Sequence, residues 1–464
     1  MTNADGSVRE PYLILDQWLK EQPPDALGLM ASDAEGIFRR LGITFAVYGS
    51  NEGTEKLIPF DIIPRIISAL EWRKLSKGIE QRVRALNAFL HDIYHRQEIL
   101  RAGRIPEKLI LDNSAFCPEM MGLDPARGIY SHIIGVDLVR TDADGWYVLE
   151  DNLRTPSGVS YMLEDREAML QLAPDLFQRT KVAPVETYPE NLRRTMESVA
   201  PPGAGGSPTL AVLTPGIYNS AYFEHSFLAD QMGAELCEGH DLFVENGKVY
   251  ARTTTGPRRI DVIYRRIDDD FLDPLTFRPD SMLGVPGLFD AYRAGNVTLV
   301  NAPGTGIADD KAVYTYVPEI IEIYLGEKAL LKNVPTYNCT NDDERAYVLE
   351  NIADLVVKEV HGSGGYGMLI GPTSTKEQHD LFREKIIARP GNYIVQPTLA
   401  LSTCPTYVNT GVAPRHVDLR PYVLVGDQIR ITPGGLTRVA LKEGSLVVNS
   451  SQGGGTKDTW VLED

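Results

Sequence analysis

GVDLVRTDADGWYVLEDN, residues 135–152, is the stretch that carries most information about the fold. Its Asp-Ala-Asp-Gly segment at 142–145 is a strong turn signal between two runs of β-forming residues, so we expect a β-hairpin. With the turn centred between the second and third residues of that segment, Asp137 directly faces Glu150, with Cβ atoms roughly 5 Å apart. Asn152 then points to the same side of the hairpin as Glu150.

Two like charges that face each other destabilise a hairpin unless something neutralises them. A divalent cation does so, and Asp137, Glu150 and Asn152 form the all-oxygen donor set that suits Mg²⁺. Two alternatives stay open. Both carboxylates can lie on a solvated face of the hairpin, and a shift of one residue in the turn would separate Glu150 from Asp137.

Length and composition limit the remaining possibilities. A chain of 464 residues has room for several domains. The net charge of −17 argues against a broad surface for nucleic acid or for an anionic membrane. No apolar run approaches the roughly 20 residues of a membrane span, and no secretory signal is visible. We therefore expect a cytoplasmic, multidomain enzyme that acts on small molecules.

The cysteines and histidines indicate no metal or nucleophile motif at this stage. Cys117, Cys237, Cys339 and Cys404 lie far apart and form no CxxC pair, which argues against a zinc ribbon and a disulfide scaffold. The eight histidines are interpreted as having no metal-ligand spacing. No Ser/His/Asp or Cys/His signature is found.

The proline- and glycine-rich segment 201–208 is typical of a linker between domains. Before it, apolar residues at spacings of three and four predict helical structure over 62–103. After it, short apolar runs that alternate with helical patterns predict a parallel α/β layer, so 205–300 is expected to be a Rossmann-like domain. A helical stretch over 309–327 and β-rich segments complete the chain.

HGSGGYG, residues 361–367, contains a formal GxGxxG pattern between two predicted strands. A dinucleotide loop requires a helix after the glycines, and the chain has no GxxxxGKS/T, HRD or DFG motif, so a P-loop NTPase or protein kinase is not expected. With Lys358 just upstream, a hairpin of this kind can cap a nucleoside triphosphate, because glycines let backbone N–H groups approach phosphate closely. The alternative is a surface hairpin without a ligand.

Two further residues extend this pattern. Lys311 begins a helical segment after a Gly-rich turn, and Gln396 lies at the end of the predicted strand 393–397. Together these segments resemble the ATP-grasp superfamily, in which an early lysine, a lysine strand, a Gly-rich loop and a hinge strand precede a D…E-x-N motif. Here that motif comes first, followed by Thr-Pro-Ser-Gly at 155–158, as in a circularly permuted member.

The chain is therefore similar to the circularly permuted ATP-grasp type 2 family, whose members are often labelled glutathionylspermidine synthase-like. The resemblance covers residues 45–464. Further stretches that look like the family are PFDIIPRII (59–67), QRVRALNAFLHDIY (81–94), VDLRPYV (417–423), ITPGGLTRVA (431–440) and SSQGGGTKDTW (450–460).

The resemblance implies an α/β fold of the α+β ATP-grasp type, circularly permuted. It divides the chain into a helical N-terminal region (1–130), a permuted metal-binding part (131–200), a Rossmann-like pre-ATP-grasp domain (205–300) and the main nucleotide-binding part (301–464). It also implies ATP and Mg²⁺ as cofactors, with two ions bound and Mn²⁺ as an alternative.

Each site residue follows from the same resemblance. The metal ligands are Asp137, Glu150 and Asn152, and the residues expected to bind ATP are Lys311, Lys358, Gly362, Ser363, Gly364, Gly365, Gly367 and Gln396. Arg154, Arg420 and Arg438 are expected to contact phosphates or the substrate carboxylate, and the alternative for each is an ordinary surface ion pair. Asn219, Arg265 and Arg266 are weaker candidates for substrate contact.

The implied reaction joins a carboxylate to an amine through an acyl phosphate and releases ADP and phosphate. The partners are small-molecule or peptide acids and amines, with no nucleic acid and no membrane. Two alternatives remain open: a kinase of the same fold that leaves a stable phosphorylated product, and a degenerate nucleotide-binding scaffold protein.

Overall fold

The computed structural model describes residues 1–3, 5–46, 55–141, 145–360, 367–408, 411–445, 448 and 454–464. It is a mixed α/β structure. The α-helices, in chain order, are α1 (Leu13–Glu21), α2 (Ala26–Leu41), α3 (Ala69–Ile93), α4 (Glu98–Arg101), α5 (Glu107–Leu111), α6 (Val159–Leu172), α7 (Pro174–Arg179), α8 (Tyr188–Ser198), α9 (Tyr222–Met232), α10 (Leu288–Arg293), α11 (Lys311–Tyr314), α12 (Val317–Leu325), α13 (Asp342–Asn351) and α14 (Lys376–Ala388).

The β-strands, in chain order, are β1 (Thr44–Ala46), β2 (Glu55–Leu57), β3 (Phe60–Ile67), β4 (Ile133–Arg140), β5 (Trp146–Asn152), β6 (Leu210–Leu213), β7 (Glu235–Cys237), β8 (Leu242–Glu245), β9 (Lys248–Thr253), β10 (Gly256–Ile260), β11 (Val262–Arg265), β12 (Thr298–Val300), β13 (Lys332–Asn333), β14 (Tyr337–Asn338), β15 (Leu355–Glu359), β16 (Leu369–Ile370), β17 (Tyr393–Pro397), β18 (Thr403–Val408), β19 (Gly411–His416), β20 (Tyr422–Val425), β21 (Ile429–Ile431), β22 (Thr437–Val439) and β23 (Gly455–Val461).

Two sheets dominate the part of the fold that carries the site motifs. One has the order β13-β5-β4-β20-β21, and the other is the antiparallel sheet β14-β17-β15-β16. The second is covered on one side by α13 and α14, whose Val348, Phe382 and Ile386 share a buried cluster with Val357 and Val395. Its other side faces the first sheet, and the space between these two sheets is called the cleft below.

The N-terminal region is not uniformly helical. Residues 62–67, which the spacing of apolar residues placed in a helix, belong to β3, and β3 pairs in parallel with β23 near the C-terminus. That prediction was wrong because seven successive residues of β3 are buried and show no alternation, so the strand cannot be told from a helix by its period. The helix begins at Ala69, where the side chain of Ser68 caps it by accepting from the Glu71 N–H at 3.2 Å.

Residues 205–300 contain the parallel sheet β12-β11-β6-β7, together with an antiparallel meander, β10-β9-β8, that the sequence did not indicate. A separate Rossmann-like domain stays a prediction. The side chain of Asn301, which follows β12, ties this sheet to the hairpin of β4 and β5. It accepts from the Ile133 N–H at 2.9 Å and donates to the Ile133 and Leu153 carbonyls at 2.8 and 2.6 Å.

All four cysteines are free and buried. Among the described residues, no helix is both long and apolar enough to cross a bilayer. The helical stretch expected over 309–327 is divided into α11 and α12.

The long helix α3 positions the site hairpin. Its apolar face, including Ile79, Val83 and Leu86, lies in the same buried cluster as Val136 and Leu138 of β4. Each fully buried aliphatic side chain of this kind contributes about 1.5–3 kcal/mol. Besides these contacts, α3 holds the hairpin by a buried ion pair.

This ion pair joins Arg82 of α3 to Asp151 of β5. Arg82 donates from Nε and Nη2 to the two carboxylate oxygens, both at 2.7 Å, and both side chains are almost fully buried. Asp151 lies between Glu150 and Asn152, so the pair fixes the strand that carries both of them.

We expect Arg82→Met to lower the free energy of unfolding by about 3–5 kcal/mol, because it leaves the Asp151 carboxylate buried without its partner. Arg73→Met is the matched control on the same helix, since Arg73 pairs with Asp464 in an exposed position. Urea denaturation of both variants measures the difference. The double variant Arg82→Met/Asp151→Leu should be more stable than Arg82→Met, and equal losses for Arg82→Met and Arg73→Met would contradict this account.

Candidate functional site

The hairpin of β4 and β5 places Asp137 directly opposite Glu150, so this predicted pairing is confirmed. The strand register that produces this pairing differs from the one expected from the sequence. Nearer the turn, Leu138 pairs with Val148, and the register shifts by one residue between this pair and the next. The extra residue on β5 is Leu149, and without this bulge Leu149 would face Asp137 and Glu150 would point to the other side. The turn at 142–144 lies outside the described residues.

Asp137 is completely buried, and its carboxylate accepts hydrogen bonds from two arginine side chains. Arg420, just before β20, donates from Nε and from Nη2, the latter at 2.7 Å, and Arg438 of β22 donates from Nη2 at 2.6 Å. Burial alone would raise the pKa of Asp137, but the two guanidinium charges and their hydrogen bonds lower it well below its usual range. Asp137 is therefore a permanent anion at neutral pH.

These arginines change the argument made from the sequence. The like charges of Asp137 and Glu150 were expected to need a divalent cation, whereas the structure places Arg420 and Arg438 beside them. Arg420 Nη2 lies 3.7 Å from Glu150 Oε1, and Asp418 shares Arg438 with Asp137. The facing carboxylates alone therefore no longer require a metal ion.

The donor chemistry nevertheless fits a hard divalent cation. Glu150 supplies a carboxylate that is 28% exposed, and Asn152 supplies a carboxamide whose Nδ2 lies 3.5 Å from Asp137 Oδ1, which leaves its Oδ1 for other contacts. Oxygen donors of this kind, with few from the protein, are what Mg²⁺ selects. Asp137 can join them only by giving up part of its contact with the arginines.

Lys358 and Gln396 lie on the face of the antiparallel sheet that is turned away from α13 and α14. Because Val357 and Val395 point into the cluster beneath those helices, their neighbours on β15 and β17 point to the cleft. Gln396 is buried there and donates from Nε2 to Thr336 Oγ1 at 3.0 Å.

The two predicted lysines meet the acidic pair in this cleft. Ala312 of α11 packs against this face, with Val360 and Ile394, which brings Lys311 beside it. Burial lowers the pKa of Lys358 to about 8, and the charges of Glu150, Lys311, Asp137 and Arg438 also act on it. The side chains of Lys311, Lys358, Asp137 and Glu150, which were predicted from separate motifs, are thus close enough to interact electrostatically.

The Gly-rich loop can be placed only in part. Gly362, Ser363, Gly364 and Gly365 lie outside the described residues. Gly367 is described and has φ +69°, and a Cβ there would approach the Glu359 carboxyl carbon to 2.5 Å. A side chain at this position would displace the Glu359 carboxylate and would strain the backbone at this positive φ.

Arg154 is less centrally placed than its neighbours. Its guanidinium lies 3.1 Å from Asp268 Oδ1 and 3.7 Å from Asp309 Oδ2, at the edge of the cleft. Asp309 was missed in the sequence, where only the lysine of Ala-Asp-Asp-Lys was considered. Its carboxylate accepts from the N–H groups of Leu153 and Arg154, directly after Asn152. Burial raises the pKa of Asp309 to about 7 despite the charge of Arg154.

The Thr-Pro-Ser-Gly segment after the hairpin is fixed by buried side chains. Arg420 Nη1 and the Tyr422 hydroxyl donate to the Ser157 carbonyl at 3.2 and 3.1 Å, and Glu224 accepts from the Gly158 N–H at 2.7 Å. Arg266 donates to the Pro156 carbonyl at 2.6 Å.

The two arginines among the weaker substrate candidates are buried. Arg265 donates to the carbonyls of Asn301 and Ala302. Arg266 is likewise buried. Asn219 uses its side-chain oxygen to accept from the Ala221 N–H in a local turn.

A family model described as "Circularly permuted ATP-grasp type 2" matches residues 64–440. The chain belongs to this family. The resemblance proposed from the sequence is therefore confirmed, and the two sheets that flank the cleft are parts of an ATP-grasp fold.

Relatives and a solved structure agree with this assignment. An uncharacterised protein of Synechocystis is 53% identical over 99% of this chain and 96% of its own length. A putative glutamate–cysteine ligase 2-3 of Frankia alni is 43% identical over 99% of this chain but only 53% of its own length. The structure of a glutathione synthetase-like effector from Globodera pallida, in its apo form, superposes with a TM-score of 0.58 at 11% identity, covering 95% of this chain and 98% of that one.

The lowered pKa of Lys358 predicts a pH dependence of nucleotide binding. Lys358 is charged below about pH 8 and loses its charge above it, so affinity for a non-hydrolysable ATP analogue should fall as pH rises from 7 to 9.5, by up to about tenfold. Lys358→Arg keeps its charge at every pH in this range and should remove that fall. Titration calorimetry measures both, and an identical pH profile for the two proteins would contradict the role of Lys358.

Proposed function

We propose that this protein is an ATP-dependent ligase that joins a carboxylate to an amine through an acyl phosphate. The observation that carries the proposal is the cleft between the two sheets, where Lys358, Arg420 and Arg438 lie around Asp137 and Glu150. A triphosphate needs a concentration of positive charge of this kind, and phosphoryl transfer depends mainly on placement and charge stabilisation.

ATP would be held from both sides of the cleft. Lys311 and Lys358 would neutralise and position the phosphates, and the Gly-rich loop would close over them. Gln396 would offer its carboxamide to the adenine edge. Glu150 and Asn152, with Asp137, would hold Mg²⁺, which supplies charge neutralisation at the phosphates when bound.

The chemistry requires no nucleophilic side chain. An oxygen of the substrate carboxylate attacks the γ-phosphorus, and the bond to the β-γ bridging oxygen breaks, which releases ADP and leaves an acyl phosphate. The lone pair of the amine then attacks the acyl carbon, phosphate leaves, and the amine loses a proton to give the amide. Arg420 and Arg438 would stabilise the charge on the transferred phosphoryl group.

Arg154 would bind the substrate carboxylate at the edge of the cleft. Its guanidinium is 39% exposed and adjoins the metal motif, so it can leave Asp268 for a substrate carboxylate. Because Asp309 holds the backbone of Leu153 and Arg154, it would position this arginine rather than react.

The names of relatives suggest which acid and amine to try. Two relatives from Frankia are named putative glutamate–cysteine ligases, although this chain matches only 53% of the length of each. The named activity belongs to those longer proteins, so L-glutamate with L-cysteine is a starting pair. Glutathione with spermidine is the second pair, from the labels common in the family.

An isotope experiment tests the acyl phosphate directly. With the glutamate γ-carboxylate, or the glutathione glycine carboxylate, labelled with ¹⁸O, we expect phosphate to be released only when acid and amine are both present. One ¹⁸O atom should appear in each phosphate released, because the carboxylate oxygen stays on phosphorus when the amide forms. Mass spectrometry of the phosphate measures this, and Lys376→Ala, an exposed lysine of α14, is the activity control.

Other outcomes separate the alternatives. A stable phosphorylated acid formed without amine would replace the ligase with a kinase. Phosphate without ¹⁸O would indicate simple ATP hydrolysis. No ADP formation with either pair, in protein that binds ATP, would move the search to other acids and amines, and no ATP binding at all would favour the scaffold.

A further inference from the structure

The C-terminal end of α3 carries two histidines that the proposed reaction does not use. His91 and His95 are one helical turn apart, and their rings stack in parallel, with centroids 4.2 Å apart and planes at 4°. The His-x3-His spacing is visible in the sequence but was not recognised there. Both rings face Asp124 on the loop that leads from α5 towards β4.

Three donor atoms converge at this point. His95 Nε2 lies 3.0 Å and His91 Nε2 lies 3.6 Å from Asp124 Oδ1, and the three donor atoms all lie within 4.8 Å of one another. Tetrahedral coordination of Zn²⁺ at about 2.0–2.1 Å places neighbouring donors roughly 3.3 Å apart. The distance from His91 Nε2 to Asp124 Oδ1 is slightly above that value, and the distance from His95 Nε2 to the same oxygen is slightly below it.

The hydrogen bond made by the other ring nitrogen selects the tautomer of His95. Nδ1 lies 2.9 Å from the His91 carbonyl oxygen, which can only accept, so Nδ1 carries the proton. In this tautomer Nε2 carries a lone pair, and it lies 3.0 Å from Asp124 Oδ1 without a hydrogen bond to it. Two electron-rich atoms 3.0 Å apart need a cation between them. Within the described part of the chain, His95 Nε2 is buried and has no hydrogen-bond donor or acceptor of its own.

We propose that His91, His95 and Asp124 bind a divalent transition-metal ion of the Zn²⁺ class. Two imidazoles and one carboxylate suit Zn²⁺, whereas Mg²⁺ and Ca²⁺ prefer oxygen donors throughout. His91 is 47% and Asp124 74% exposed, so an ion can enter from solvent and keep a water in the fourth position. The backbone hydrogen bond of His95 supplies the outer-shell support that metal-binding histidines usually have.

The surroundings hold the site in place before metal binding. The ring of Tyr130 lies edge-on to His91, with centroids 6.4 Å apart, and its hydroxyl donates to the Leu123 carbonyl at 3.0 Å. The Gly122 N–H donates to the Tyr94 carbonyl at 2.7 Å. A bound ion would add a further link between α3 and the loop that leads through Tyr130 into β4, the strand of Asp137.

The test uses full-length protein treated with a chelator and then dialysed into excess Mg²⁺, which occupies any oxygen-rich site in the cleft. Titration calorimetry with Zn²⁺ should show one ion bound to wild type. Asp124→Asn and His95→Gln should each weaken this binding at least about tenfold. Asp112→Asn, which changes an exposed aspartate on the same surface loop, is the matched control and should bind as wild type does.

A stability measurement keeps the test independent of folding defects. Asp124 is largely exposed, so Asp124→Asn should unfold at the wild-type temperature in the presence of chelator. Zn²⁺ should then raise the unfolding temperature of wild type and of Asp112→Asn more than that of Asp124→Asn. Wild-type Zn²⁺ affinity in both ligand variants would overturn the site. So would wild type that binds no Zn²⁺.

Discussion

The buried carboxylate of Asp137 is the interaction on which the site depends. It accepts from Arg420 and Arg438, and these side chains come from segments almost three hundred residues further along the chain. Through Arg420 it also reaches the Ser157 carbonyl, and through Arg438 it shares a cation with Asp418. Because Asp418 is also buried, two carboxylates balance the two guanidinium charges, and the positive charge that a polyphosphate site requires would come from Lys311 and Lys358.

The same hairpin is supported from its other side. Asp151, between Glu150 and Asn152, points away from the cleft and pairs with Arg82 of α3, while Asn301 and Asp309 bind the backbone of Leu153, directly after the motif. Adjacent residues of β5 thus alternate between a structural contact behind the sheet and a functional contact in front of it. The strand is fixed by groups that do not touch the cleft, so the cleft residues are free to change partners when a ligand binds.

The sequence predicted the components of the site better than their connections. Local patterns identified the hairpin, both lysine segments and the strand of Gln396, because each depends on neighbours close in the chain. The β-bulge at Leu149 has no local signal. The correct pairing of Asp137 with Glu150 came from a register that differs by one residue from the one observed between Leu138 and Val148. The ion pairs of Arg82 with Asp151 and of Arg420 with Asp137 were not predictable, since nothing in one segment specifies a partner far along the chain. Strand β3 was mistaken for helix because a strand buried on both faces has no period.

The most direct test of the site is titration calorimetry with a non-hydrolysable ATP analogue, with and without Mg²⁺. Glu150→Gln removes a cleft carboxylate, and Glu350→Gln, on the exposed face of α13, is the matched control. Wild type and the control should bind the analogue more tightly with Mg²⁺, and Glu150→Gln should lose most of that gain. Absence of binding, or binding of equal strength with and without Mg²⁺ in all three proteins, would contradict an ATP site built on Asp137, Glu150 and Asn152.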